Sequence, residues 1–183
     1  HACADAAAIL RDRHSLRVTD IASVRALVPA EVVKTVCEPV ATKKRPQNSY
    51  DAQFSIPYTV ATALAKGRFG LAELDDAALR DEQVLALAAK VEYEVDPDSP
   101  FPTYYSGEVV VTLNDGRELR HREHINRGAA ERPISNADVE RKFFENMQLV
   151  TSAARAAQVR DLVLAIDRDS AAVDVQRGLA ARG

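Results

Sequence analysis

Apolar residues recur three and four apart in some stretches of the chain and alternate in others, and the changes of period mark out its elements. Residues 1 to about 14 hold a run of alanines, Ile9 and Leu10. They predict a short helix with Arg11, Arg13 and His14 at its carboxyl end, where the dipole favours cations. Val24, Ala26 and Val28 alternate and predict a strand over 20–28. Pro29 then opens a short helix to Val36, as proline does in a first turn. A connector over 71–76 leads to a helix over about 77–87, capped by Asp75 or Asp76, with Leu79, Val84 and Leu87 inward. Residues 91–95 read as a strand that stops at Asp96-Pro97-Asp98-Ser99-Pro100. The cleanest local signal is a hairpin over 108–113 and 117–124, turning at Asn114-Asp115-Gly116. Ser135 with Asp138 is a helix start of capping-box type, with Asp in place of Glu, and leads into a helix to Leu149. Further helices are predicted over about 152–166 and 171–179. The class is therefore α+β: a small antiparallel sheet of three or four strands with helices on one face, and terminal helices that belong to another body. The boundaries are a junction helix at 1–15, an α+β portion over 16–135 and closing helices over 136–183, of which 136–150 can still pack on the α+β portion.

The hydrophobic pattern is organised around residues 43–67. Lys43, Lys44, Arg45 and Pro46 read as an ordered loop. Phe54, Tyr58, Ala61 and Leu64 follow at helical spacing, and Gly67 supplies a left-handed end. Pro57 belongs in a first turn, so either Ser55 is the N-cap or a helix begun near Asp51 is kinked there. A helix amino end close to three cations offers a seat for a carboxylate or phosphate. The same residues also describe a capped helix preceded by a solvated basic loop.

Composition narrows the classes. The 183 residues suffice for one domain or a domain with an appendage, and 46% hydrophobic and 28% charged content is ordinary for a soluble protein. A net charge of −3 gives no general attraction to nucleic acid. No run of about 18 apolar residues predicts a membrane span. Cys3 and Cys37 are too few for a disulfide framework and fit a reducing cytoplasm. The chain opens on His1, inside a predicted helix, and this is expected of a piece of something longer.

Other candidate chemistry is thin. His121 and His124 are three apart on a strand, so they face opposite sides and do not chelate together; no metal is expected. The cysteines lack CxxC spacing, and no glycine-rich phosphate loop or nucleophile elbow is present. Tyr104 and Tyr105 fit an aromatic core better than a cleft wall.

Asp51-Ala52-Gln53-Phe54-Ser55-Ile56-Pro57-Tyr58, then Ala61, Ala63, Leu64 and Gly67, resembles the signature of the MmgE/PrpD family. That family includes 2-methylcitrate dehydratase, cis-aconitate decarboxylase and iminodisuccinate epimerase. His1 before an alanine-rich segment with Asp5, Ile21 and Val24 before a proline-led helix, the Asn114-Asp115-Gly116 hairpin and Lys142-Phe143 after Ser135 are similar in order. The resemblance covers nearly the whole chain. It implies the α+β lid and closing helices of a protein whose larger helical domain precedes them, in a homodimer, without a cofactor. It further implies acid/base proton transfer next to a carboxylate, with His1 lining the active site and Lys44 (or Lys43 or Arg45), Gln53 and Ser55 binding a small polycarboxylate. The implied activity is that of a lyase of dehydratase type. An epimerase, isomerase or decarboxylase acting on a related acid is the alternative, and a binding module without catalysis is the rival from another class. Relatives acting on tricarboxylates tend to have His where this chain has Phe54, which cannot move a proton, so 2-methylcitrate is not assigned.

Overall fold

A computed structural model describes residues 1–166 and 172–180. Two compact units divide the chain, His1–Pro133 and Ile134–Gly183.

The first unit begins with α1, Ala2–His14, which ends where Ser15 turns left-handed at φ 50°. The alanine-rich face of α1 is shallow, so Ala6, Ala7 and Leu10 come to lie wholly inside. Strand β1, Ile21–Val28, follows, then the short helices α2, Val33–Val36, α3, Val40–Lys44, and α4, Ser49–Gln53. Helix α5, Ile56–Lys66, begins at Ser55 and ends at Gly67, whose φ of 76° suits a residue without Cβ. Residues 56–64 of α5 are all buried. A helix buried on every side over this stretch has no solvent face there, and α5 is the centre of the unit. Helix α6, Glu82–Ala88, leads to β2, Val91–Val95, and then β3, Gly107–Leu113, and β4, Glu118–Glu123, form the hairpin.

The sheet order is β2-β1-β3-β4. Val24, Ala26 and Val28 share one face with Val91, Val109 and Val111, and these join α1 and α5 in a single core. The opposite face carries Arg25, Glu94 and Glu118, with Arg25 bridging the two acids at 3.2 and 3.3 Å. Helices cover one face, as expected, and the other carries these charges beside the buried Val110.

Four expectations change in detail, the first being that Tyr105, expected in an aromatic core with Tyr104, is exposed and meets Phe101 edge-on while neither tyrosine joins the core. The β1–β2 pair is parallel, so the sheet is mixed rather than antiparallel. Residues 29–90 lie between those strands, and a connection of that length carrying helices is what a parallel neighbour requires. The helix expected over 77–87 is broken into a 3₁₀ turn, Ala78–Arg80, and α6. Asp81 caps α6, accepting from the Gln83 and Val84 amides, while Asp75 caps only the 3₁₀ turn. Lys43 and Lys44 end helix α3 rather than lying in a loop.

The second unit holds α7, Asn136–Met147, α8, Ala153–Leu164, and α9, Ala172–Ala180. Ser135 Oγ accepts from the Asp138 amide at 3.1 Å, as its spacing predicted. The expected first residue of the last helix, Ala171, lies outside the described residues.

Candidate functional site

Residues 43–58 fold around their own polar groups. Asn48 caps α4 by accepting from the Asp51 amide at 2.9 Å, and Ser55 caps α5 by accepting from the Tyr58 amide at 3.0 Å. Both sequence alternatives for this helix start are therefore present as two consecutive helices. Pro57 has no N–H, and the Thr59 amide bonds the Ser55 carbonyl at 3.0 Å. Ile56 is left as the one first-turn donor not engaged in these contacts, so most of the amide capacity of this helix end for an anion is already used.

The cations have partners too. Lys44 Nζ meets Glu92 Oε1 and donates to the Ala89 carbonyl at 3.0 Å. Arg45 bridges to Glu82 at 3.0 Å in the open. Lys43 is 9% exposed, and its Nζ donates to the carbonyls of Thr35 and Phe54, each at 2.6 Å. Ser55 Oγ, 1% exposed, donates back to the Lys43 carbonyl at 2.5 Å. Gln53 is exposed at the end of α4. Phe54 falls between α4 and α5 rather than on the inner stripe of α5. It is 37% exposed and lies 5.0 Å from the Tyr50 ring.

His1 is the exposed N-cap residue of α1, without a side-chain cap bond. The helix end behind it is tightly seated. Cys3 Sγ reaches the Leu27 carbonyl at 3.7 Å, and Asp5 pairs with Arg127 at 3.4 Å. A Cβ on Gly107 would stand 2.7 Å from both the amide nitrogen and the sulfur of Cys3, so β3 starts directly under α1. Burial pushes the Cys3 thiol up to about 11. Burial, with Cys3 nearby, pushes Cys37 up to about 12, while Lys43 acts on Cys37 in the opposite sense. Spacing pointed to Ser55 as a cap, and the family resemblance pointed to His1, Lys44, Gln53 and Ser55. Neither gave a sign of the Lys43 contacts or of Gly107, because both depend on segments far apart in the chain.

The pattern that defines the MmgE/PrpD C-terminal domain matches residues 1–168. The chain belongs to the MmgE/PrpD family. Among curated relatives, cis-aconitate decarboxylase of Homo sapiens is 29% identical over 159 residues, covering 83% of this chain and 31% of the relative. Cis-aconitate decarboxylase of Mus musculus is 29% identical over 153 residues, covering 80% of this chain and 30% of the relative. This MmgE/PrpD chain thus spans about a third of the length of the curated relatives it matches. Among its described residues no helix is long and apolar enough to cross a membrane, and no cluster of three or more His, Cys, Asp or Glu is placed to hold a metal ion.

Proposed function

We propose that this chain is the carboxyl-terminal part of a cofactor-independent lyase that moves a proton next to a carboxylate of a small polycarboxylate. The observation that carries the proposal is the family match over 1–168, together with relatives named for decarboxylating cis-aconitate. The rest of the enzyme, a helical domain in a cytoplasmic homodimer, would close the site over the end of the first unit that carries His1.

In this proposal His1 is the acid/base group. Its ring is exposed at a helix end that Gly107 and Asp5 hold in place, and imidazole is suited to proton transfer near neutral pH. Lys44 and Gln53 bind carboxylate. The Glu92 partner of Lys44 is well exposed, and such surface pairs are worth little, so a substrate carboxylate can compete for the ammonium. Ser55 acts from inside, setting the start of α5 next to Gln53 rather than touching substrate. Loss of water is the leading reaction. Loss of carbon dioxide is the second reading, favoured by what the relatives are named for.

His1→Ala in the full-length protein should lower kcat by about 10²–10⁴-fold. Initial rates on cis-aconitate and citrate, with released carbon dioxide measured separately, check this and separate the two reactions. A variant that keeps normal turnover would remove His1 from the chemistry.

A further inference from the structure

Lys43 presents an unusual use of charge. Its ammonium is nine-tenths buried, and among the described residues no carboxylate is paired with it. Its two acceptors are Thr35, in the last turn of α2, and Phe54, the residue that closes α4. Both are carbonyls at the negative ends of short helices, where a cation is favoured and the last carbonyls lack partners within the helix. Ser55 completes the arrangement in the other direction, giving its hydroxyl hydrogen to the Lys43 carbonyl. Lysine side chain to Phe54 carbonyl and Ser55 side chain to Lys43 carbonyl make a two-way closure between residues eleven and twelve apart. Between its jaws lies a polar segment that includes Lys44, Arg45, Gln47, Asn48, Asp51 and Gln53.

We propose that Lys43 is a positioning residue. With Ser55 it forms a clasp at the neck of segment 44–54, and the clasp fixes where Gln53 and the start of α5 meet a substrate carboxylate. The substrate half of this inference rests on the polycarboxylate reading above; the mechanical half does not. A buried ammonium neutralised only by carbonyl dipoles also leaves positive potential at this end of the unit, and that potential favours an anion nearby.

The test compares Lys43→Met and Lys43→Arg with the unaltered full-length protein by hydrogen–deuterium exchange and by initial rates on cis-aconitate. Methionine keeps the length and apolar stem but gives the two carbonyls no donor. Lys43→Met should speed exchange in peptides covering 44–58 by about tenfold or more and leave the sheet peptides unchanged, because only a local opening is released. It should raise KM about tenfold with kcat within about threefold, the mark of lost binding rather than lost chemistry. Lys43→Arg, which restores donors and charge, should recover most of both effects. Unchanged exchange over 44–58, or Arg performing no better than Met, overturns the clasp. Should Lys43→Met fail to fold, Ser55→Ala removes the other half of the closure, and it must speed exchange over the same segment alone for the proposal to stand. If the unaltered protein leaves cis-aconitate untouched, the functional reading is what suffers, and the exchange pattern still decides the clasp.

Discussion

His121 lies on the inner face of β4, where its Nε2 contacts Glu123 Oε1 at 2.7 Å and Arg132 occupies the carboxylate from the other side. Burial, with Arg13 and Arg132 nearby, holds the imidazole below its ordinary 6.5. The folded protein therefore keeps this ring neutral while the unfolded chain binds a proton near 6.5. Stability from His121 is present above that value and is lost as pH falls through the lower folded value. The melting temperature should decline as pH falls below about 6.5, and His121→Gln should flatten part of that slope. Equal slopes in both proteins would show that the ring does not couple to folding. At this scale the sequence was partly legible. The alternation set His121 and His124 on opposite sides of one strand, but His124 lies just past the end of β4, and the pattern could not foresee that Glu123 and Arg132 would surround His121. Ser55 shows the same division: its capping role follows from Pro57 two residues on, whereas its bond to Lys43 depends on how α3 folds back.

Among the elements, those with a local cause were readable and those with a distant cause were not. The hairpin turn, the Gly67 stop and the Ser135 cap are written in residues that tolerate or require particular backbone angles. The parallel partner of β1 is not, since alternation reports which face a side chain takes and not which way the neighbouring strand runs. The break before α6 arose because Asp81 captures two amides and outcompetes continuation from Ala78. The seating of α1 on β3 is likewise a long-range fact, and it gives a sharp test. In Gly107→Ala the new methyl group would meet the backbone nitrogen of Cys3, which cannot turn aside as a flexible side chain would. The cost should be about 1–3 kcal/mol, read as a lower urea midpoint at unchanged m value. A change smaller than about 0.5 kcal/mol would mean that α1 is not held there.

At the scale of the whole molecule, the two units differ in how much of their surface they can hide. The first encloses a continuous core running from Cys3 through α5 to Leu113. The second, among its described residues, buries only Ala156, Val159 and Val175, while Val139, Leu149, Val150, Val163, Leu164 and Ile166 stay exposed. A domain of about 50 residues is marginal even with a good core, so three small buried side chains cannot offset the entropy of ordering three helices. The amphipathic spacing announced those helices, but spacing alone does not reveal whether enough apolar area is covered to keep them folded. Expressed as residues 1–133, the first unit should unfold cooperatively, with a melting temperature within about 5 °C of that of the whole chain. Residues 134–183 alone should give the circular dichroism of a mostly unfolded peptide and no cooperative melt. If that peptide instead melts sharply from a helical state, its stability comes from packing within itself. If 1–133 fails to fold, the core around α5 depends on residues beyond it.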